Sequence, residues 1–315
     1  MDHAFEPGTR VATVRSRTTF WSQVAGIVAV VVPPIGLLAA MGLLWSVAVR
    51  PLDLWVLLGF YVFTGLGITA GWHRYFSHKS FETSSPVRAL LAIAGSMAMQ
   101  GPLTQWVTDH RKHHALSDRE GDPHSPHAGR EPGVWSTIIG FVHAHVGWLF
   151  LTKGMERGPL YAKDLYGDRL IRWIDRIYLL WVVLTLGIPF AVGYAFGGVS
   201  LGLEVMIWGG LVRIFIWQHV TFSINSVCHM FGRRDYRSRD ESRNVRWLAP
   251  FSFGESWHNT HHAFPSSARH GLDSGQLDLA WLAIRGLERL RLVWDVTLPD
   301  DAQRARRRVP EHESS

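Results

Sequence analysis

Four long apolar runs dominate the hydropathy pattern of the chain. They extend from about Val24 to Val49, from Leu52 to Gly71, from Ile177 to Phe196 and from Leu201 to Val220. Each run has about 20 residues or more, which is enough for an α-helix to cross the ~30 Å hydrocarbon core of a bilayer. Runs of this length with so few charges are more typical of membrane spans than of a buried soluble bundle. The pattern therefore predicts an all-α integral membrane protein with four transmembrane helices.

Short turns join these runs in pairs. Arg50-Pro51 separates the first two runs and Gly197-Gly198 separates the last two, so the pattern predicts two helical hairpins. Two hairpins place the N-terminus, the segment between the hairpins and the segment after the fourth run on one side of the membrane. These three segments hold nearly all the lysines and arginines. Because basic residues concentrate in cytoplasmic segments, we expect that side, with both termini, to be cytoplasmic.

The chain is predicted to contain a single membrane domain over residues 21–298. A cytosolic segment over residues 1–20 precedes it. Residues 299–315 are rich in charge and poor in apolar side chains, so they are predicted to form a disordered tail.

Composition narrows the class of protein further. The 15 tryptophans are typical of a protein with membrane interfaces, where indole rings concentrate. The single cysteine, Cys228, excludes an intrachain disulfide and any zinc or iron–sulfur site that needs several thiolates. The formal net charge is +6, but no nucleic-acid motif accompanies it, so no nucleic-acid partner is expected.

Eight of the 17 histidines fall in three short motifs. Two motifs have the spacing H-x-x-H-H, which puts three imidazoles on one face of a helix. The third, H-x-x-x-x-H, follows the second apolar run, and its two positions lie about 140° apart on an ideal α-helix. That pair either gives one imidazole to each of two metals or lies on a distorted last turn. The eight residues are His73, His78, His110, His113, His114, His258, His261 and His262.

A fourth element follows the last apolar run. Asn225 and His229 are four positions apart, so on a helix they add one amide and one imidazole to the same side of the membrane. Eight or nine imidazoles are more than one metal ion can use, which indicates a two-metal site. Imidazole suits zinc, copper, iron and nickel. Redox iron is favoured over a zinc hydrolase because no carboxylate base accompanies the motifs as in H-E-x-x-H.

The remaining eight histidines are expected to be surface or hydrogen-bonded side chains. His219, which lies in the fourth apolar run, is the strongest candidate for an exception. A hydrogen bond to a neighbouring helix is nevertheless the favoured role for it. These eight residues are His3, His124, His127, His143, His145, His219, His270 and His312.

Around these motifs the sequence resembles the membrane fatty acyl desaturase family, specifically the acyl-CoA (stearoyl-CoA type) Δ9 desaturases. The similar stretch covers about Gly67 to Pro265. It contains many family motifs in the same order. They are Ala70 to Arg74, Ser77-His78, Trp106, Asp109 to Arg111, His113-His114, Asp122 to His124, His145 to Leu149, Asn225-Ser226, His229, Gly254-Glu255, His258-Asn259, His261-His262 and Phe264-Pro265.

The resemblance implies a diiron centre held by nine histidines, the eight above and His229, with Asn225 contacting one iron through a water molecule. It implies four transmembrane helices under a cytosolic helical cap that carries this dimetal site. It also implies a bent tunnel for the acyl chain, lined at the bend by Gln100, Trp106 and Thr221. Phe222, which stands where the family usually has a tryptophan, is also expected to contact the substrate. The family's usual asparagine after the glutamine is replaced by Gly101, and Asp109 is expected to contact substrate.

The activity that this resemblance implies is O2-dependent desaturation of a long-chain acyl-CoA, with a cis double bond at Δ9. Removal of two unactivated hydrogens needs a metal cofactor, here two iron ions. No G-x-G-x-x-G fingerprint follows a strand pattern, so no bound flavin or NAD is expected. The two electrons are therefore expected from a separate ferredoxin, or from cytochrome b5 with its NAD(P)H reductase.

Three alternatives remain open from the sequence. A diiron fatty acid or alkane hydroxylase shares the histidine motifs, and its product gains an oxygen atom instead of losing two hydrogens. A desaturase acting on phospholipid-linked acyl chains differs only in the acyl carrier. A membrane metal transporter is disfavoured because its ligands lie near the middle of the bilayer, whereas these histidines lie beyond the ends of the runs.

Overall fold

The computed structural model describes residues 31–42, 49–151 and 158–310, and this part of the chain is mostly helical. One two-residue antiparallel pairing, β1 (Glu82–Thr83) with β2 (Val293–Trp294), is an exception to the all-α prediction. Three π-helical segments, Gly67–Ser77, His143–Gly147 and Ile207–Val212, interrupt the helices, and Arg246–Leu248 forms a short 3₁₀ turn. In chain order the α-helices are α1 (Val31–Gly42), α2 (Pro51–Leu66), α3 (Ser85–Ser96), α4 (Leu103–Leu116), α5 (Val134–Val142), α6 (Trp148–Leu151), α7 (Gly158–Tyr161), α8 (Lys163–Gly167), α9 (Arg169–Arg176), α10 (Tyr178–Met206), α11 (Arg213–Met230), α12 (His258–Ala263), α13 (Leu279–Arg289) and α14 (Asp301–Arg307).

Within the described residues, two continuous helical stretches are long and apolar enough to cross a membrane. Pro51–Ser77 has 27 residues with mean hydropathy 1.7, and Tyr178–Met230 has 53 residues with mean hydropathy 2.0. The second predicted apolar run lies in the first stretch, and the third and fourth runs both lie in the second. Most of the first predicted run falls outside the described residues, and the described portion of it is α1.

The 53-residue stretch bends back on itself at the predicted turn. Gly198 has φ of 71°, a left-handed conformation that glycine adopts without steric cost. Beyond the turn the two arms pack closely, because a Cβ atom on Gly193 would lie 2.5 Å from the carbonyl oxygen of Leu201. Further along, the buried guanidinium of Arg213 donates a 2.6 Å hydrogen bond to Oγ1 of Thr185. The arms are therefore antiparallel, as the sequence predicts.

The end of the first stretch packs tightly against α3. A Cβ atom on Gly67 would overlap the backbone nitrogen of Gly95, and a Cβ atom on Gly95 would overlap the indole of Trp72. The Trp72 indole N–H donates to the carbonyl oxygen of Ala92 at 3.2 Å. This close approach fixes the orientation of the π-helical segment Gly67–Ser77. It thereby also places His73, which follows Trp72 in that segment.

The part of the chain that follows α11, residues 231–310, contains a region that packs onto the end of this segment, and we call this part the cap. Arg74 is fully buried, and its guanidinium pairs with Glu255 and with Asp278. Tyr61 reaches the same cap, because its hydroxyl donates a 2.7 Å hydrogen bond to the carbonyl oxygen of Phe251. The cap is thereby tied to the helical stretch at two separate points along its length.

The C-terminal segment differs from its prediction. Residues 299–315 were expected to be disordered, but Asp301–Arg307 forms the helix α14. A capping box starts this helix, in which the Asp300 carboxylate accepts from the Gln303 backbone N–H at 2.7 Å. Arg304 and Arg308 also pair with Asp273. Local capping and long-range ion pairs order a segment that has little apolar surface to bury.

Gly67→Ala is expected to destabilise the protein by about 1–3 kcal/mol, because the added methyl group has to displace helix backbone rather than a flexible side chain. Gly59→Ala is the matched control in the same helical stretch, since a Cβ atom there meets nothing within 4 Å. Thermal unfolding of the detergent-solubilised proteins measures the difference. Equal melting temperatures for the two variants would contradict the packing described for Gly67.

Candidate metal centre

Four helical segments deliver the nine predicted histidines to one buried region. The segment Gly67–Ser77 carries His73, and His78 follows its last residue. α4 carries the second motif, α12 carries the third, and the end of α11 carries His229. The first motif lies on a π-helix, where the His78 backbone N–H donates to the His73 carbonyl oxygen at 3.2 Å. This wider turn brings the two rings to 5.0 Å between centroids, as the distorted-turn interpretation expects.

The nine histidines separate into two groups. Within each group, one nitrogen from every imidazole lies within 4.8 Å of the corresponding nitrogens of the others. The first, which we call the five-histidine group, contains His73, His78, His110, His114 and His261. The second, the four-histidine group, contains His113, His229, His258 and His262.

The Nε2 atoms of each group converge on a common point. In the five-histidine group, the Nε2 atom of His261 lies 3.0 Å from that of His73 and 2.9 Å from that of His114. In the four-histidine group, the Nε2 atoms of His229 and His258 are 3.0 Å apart. Several imidazole nitrogens that face one another at this spacing can bind one cation together, so this arrangement fits metal ions.

Buried nitrogens without hydrogen-bond partners agree with that fit. The Nε2 atoms of His113 and His262 are buried and have no partner among the described residues. Burial, together with neighbouring imidazoles, lowers the pKa of His110, His114 and His261 well below the ordinary value of 6.5. These side chains are neutral at physiological pH, and neutral imidazole is the form that binds a metal ion.

Four carboxylates accept hydrogen bonds from the outward nitrogens of four of the histidines. Asp122 lies 3.0 Å from Nδ1 of His113, Asp118 lies 2.9 Å from Nδ1 of His229, and Asp240 lies 2.5 Å from Nδ1 of His262. Glu255 contacts Nδ1 of His73. A carboxylate on Nδ1–H turns Nε2 toward the metal and fixes the ring.

The electrostatics of these pairs favour ionised carboxylates. Burial alone raises the pKa of Asp122, but attraction to His113 and its hydrogen bond outweigh that effect and lower the pKa below the ordinary range. The pKa of Asp240 is lowered in the same way by His262, against the effect of burial. The sequence assigned no role at the site to these carboxylates, although Asp122 and Glu255 stand within motifs that carry the family resemblance. For Asp118 and Asp240, the only signal was that acidic residues follow the second motif and precede the third.

Two histidines that were expected to be peripheral lie beside the groups. The His124 ring is 4.4 Å from that of His113, and the His270 ring is 4.5 Å from that of His261. Neither Nδ1 nor Nε2 of His270 has a hydrogen-bond partner among the described residues. His219 has the expected role, because its Nδ1 atom pairs with Nε2 of His145 at 3.0 Å on the segment His143–Gly147.

The residues predicted to line the bend of a tunnel form one hydrogen-bonded chain. The Trp106 indole N–H donates to Oε1 of Gln100 at 3.0 Å, and Nε2 of Gln100 donates to Oγ1 of Thr221 at 2.8 Å. The Trp106 ring stacks on His110, with centroids 5.2 Å apart. Trp106 and Thr221 line a cavity together with Asn225 and with histidines of both groups.

Gln100 supports this cavity through its hydrogen bonds but does not itself line it, and two other predicted substrate residues also lie outside the lining. Asp109 accepts from the side-chain amide of Gln105 at 2.9 Å. The Phe222 ring is turned away, edge-on to the rings of His145 and His219. A substrate role for these two residues receives no support from their positions.

The comparisons with known proteins all indicate the same family. The profile of the fatty acid desaturase family matches residues 51–287. Hex-5-enoyl-[acyl-carrier protein] acetylenase of Moorena producens is 44% identical and covers 85% of this chain and 84% of its own length. Delta-9 acyl-lipid desaturase 2 of Arabidopsis thaliana is 37% identical, over 97% of this chain and 95% of its own. An sn-1 stearoyl-lipid 9-desaturase of Synechocystis sp. is 38% identical, over 78% of this chain and 72% of its own length.

His261→Ala is expected to lower the metal content from about two ions per chain to about one. The substitution removes the nitrogen that contacts both His73 and His114, and it leaves the four-histidine group intact. His143→Ala is the control, because His143 belongs to neither group. Elemental analysis of the purified proteins gives the readout. Unchanged metal content in His261→Ala would contradict the assignment of His261 as a metal ligand.

Proposed function

The chain belongs to the fatty acid desaturase family, and we propose that it uses O2 and a diiron centre to introduce a cis double bond into a long saturated acyl chain. The observation that carries this proposal is that histidines of both groups line one cavity. Trp106 lines that cavity while its ring stacks on His110. A chain bound there passes next to both groups, as C–H chemistry at a fixed carbon requires.

We assign one iron to each histidine group. The five-histidine group holds the first iron and the four-histidine group holds the second. Asn225 lines the cavity between them and is proposed to contact the second iron through a water molecule. Nine imidazoles on two ions are a ligand set that suits iron, and the family similarity favours iron over the other metals that imidazole binds.

The iron pair, when bound, supplies the oxidising power for C–H cleavage that side chains lack. The residues of the chain place the substrate and keep water away. The hydrogen-bonded chain Trp106–Gln100–Thr221 holds one wall of the cavity in a fixed shape. Because a rigid wall decides which carbon lies next to the metals, the position of the double bond follows from geometry. Two relatives named as Δ9 or 9-desaturases support a Δ9 product.

The acyl carrier is proposed to be a membrane lipid. The sequence motifs favour acyl-CoA, but the names of the relatives above specify acyl-lipid or acyl-carrier protein substrates. Lipid-linked chains enter a cavity directly from the bilayer. The apolar helical stretches of this chain are consistent with such a route.

The proposed topology has four membrane crossings with the histidine groups on the cytoplasmic side. In this topology the first predicted run, about Val24 to Val49, and the stretch Pro51–Ser77 are the arms of one hairpin, and the two arms of Tyr178–Met230 are the other. Two electrons per turnover come from a separate protein, a ferredoxin or cytochrome b5 with its NAD(P)H reductase. The net positive charge of the chain is suited to an acidic donor of this kind.

Expression in a desaturase-deficient host tests the reaction. Gas chromatography with mass spectrometry is expected to show acyl chains that have lost two hydrogens, with the double bond at carbon 9. His261→Ala is expected to give no product. A product that gains one oxygen would identify a hydroxylase instead, and no product from a well-expressed wild-type protein would contradict the proposal.

The carrier is tested with purified, iron-loaded protein and a chemical or enzymatic reductant. Vesicles of stearoyl glycerolipid are expected to yield oleoyl lipid, whereas stearoyl-CoA offered at the same acyl concentration is expected to remain saturated. Both substrates are assayed with intact-lipid mass spectrometry, so that hydrolysis is detected. Conversion of stearoyl-CoA alone would restore the acyl-CoA assignment.

Trp106→Ala is expected to reduce turnover and to spread the double bond over neighbouring positions. The substitution opens the cavity wall and removes the donor that holds Gln100. Trp106→Phe keeps an aromatic ring but loses the N–H group, so a smaller effect is expected. Trp135→Ala is the control, because its side chain is exposed on α5. Wild-type rate and product position in Trp106→Ala would rule out this role for the indole.

A further inference from the structure

The carboxylates around the metal centre are unequally divided between the two histidine groups. Three of the four histidines in the four-histidine group have a carboxylate on Nδ1: His113, His229 and His262. In the five-histidine group, only His73 has a carboxylate partner among the described residues, and this partner is Glu255. The two groups therefore differ in how firmly their rings are held.

Backbone and side-chain donors anchor the three aspartates themselves. Asp122 accepts from the backbone N–H groups of Asp118 and His124 at 2.9 and 3.1 Å. Asp118 accepts from the backbone N–H of Glu241 at 2.9 Å and from the hydroxyl of Ser125 at 2.7 Å. The bond from Glu241 joins the loop after α4 to the cap, and together these bonds hold the aspartates, and through them the rings, in place.

Asp240 is anchored in the same manner. Its Oδ1 atom accepts from the backbone N–H of Ser242 at 3.1 Å and from the hydroxyl of the same residue at 2.5 Å, which leaves Oδ2 for His262. Glu255 differs from the aspartates, because Arg74 pairs with its other carboxylate oxygen. The Arg74 guanidinium draws electron density from the Glu255 carboxylate, and this weakens the hydrogen bond that Glu255 accepts from His73.

The two groups also differ in exposure to solvent. In the four-histidine group, His113, His229 and His258 are at most 3% exposed and His262 is 9% exposed. In the five-histidine group, His73 and His261 are buried, but His78, His110 and His114 are only partly buried. More of the rings of the five-histidine group are therefore open to solvent and to competing ligands.

We propose that the four-histidine group is the tighter of the two metal positions, and that Asp118, Asp122 and Asp240 are positioning residues that make it so. A carboxylate partner on a metal-binding histidine changes metal affinity by about 10–100-fold. The three anchored carboxylates of the four-histidine group, against one in the five-histidine group, contribute more to metal affinity than the additional imidazole of the five-histidine group. The metal is therefore lost stepwise, and the ion in the five-histidine group leaves first. The inference rests on the proposed function only in taking both groups to bind iron.

Anaerobic chelator titration of the iron-loaded wild-type protein tests this order. Bound iron per chain, measured after removal of the chelate, is expected to fall to a plateau near one before it reaches zero. Loss of both ions in a single step would overturn the proposal. Metal binding is the readout, so the result does not depend on turnover.

Carboxylate variants identify which group releases its ion at each step. Asp240→Asn is expected to move the second step to a chelator concentration about 10–100-fold lower and to remove the plateau. Glu255→Gln is expected to move only the first step. Glu241→Gln, whose exposed side chain adjoins Asp240 and pairs with Arg234, is the matched control and is expected to move neither step. The reverse assignment of the two steps would contradict the proposal.

Further measurements distinguish a failure of this inference from a folding defect and from a failure of the proposed function. Asp118→Asn and Asp122→Asn repeat the test at two other positions, and each variant is compared with the wild type in size-exclusion chromatography before titration. Product formation by the same wild-type preparation is measured in parallel. Single-step metal loss with normal product overturns the inference alone, whereas stepwise loss without product contradicts the proposed function alone.

Discussion

Nine imidazoles share one buried region only if most of them stay neutral and their lone pairs are directed at a cation. Pairs of Nε2 atoms within each group lie 2.8–3.0 Å apart, close enough for both to face one cation. Burial lowers the pKa of His110, His258 and His261 well below the ordinary value and so keeps these rings neutral. The surrounding structure has to hold each ring in the orientation that a shared cation needs. This requirement accounts for much of the buried polar network that joins the cap to the helices.

Two arginines, one buried and one partly buried, show how that requirement reaches beyond the histidines. Arg74 follows His73 directly and pairs with Glu255 and Asp278, so one guanidinium fixes the end of the first helical stretch against the cap. Arg111 follows His110 and donates to the carbonyl oxygens of Phe76 and Ser77 at 2.7 and 3.0 Å. Because a helix end leaves carbonyl oxygens without partners, a guanidinium placed there both satisfies them and fixes the neighbouring ring.

The sequence predicted the nine histidines but not their division. On one helix face, H-x-x-H-H presents three rings together, yet His113 belongs to a different group from His110 and His114. The split depends on how α4 and α12 approach each other, which spacing alone does not determine. Anchoring aspartates such as Asp118 were missed for a related reason. They lie in loops, where no periodic pattern marks a residue whose role arises from tertiary contacts.

The cavity wall is fixed from the helical hairpin as well as from the metal centre. Arg213 and Thr185 both donate to the carbonyl oxygen of Met97, at 3.3 and 2.7 Å. Three residues later, Gln100 joins Trp106 to Thr221. Within the apolar stretch Tyr178–Met230, a fully buried arginine is costly to keep, and such residues are typically retained for a role. Here that role is to hold the turn before Gln100, so the same turn links the hairpin to the wall beside the histidines.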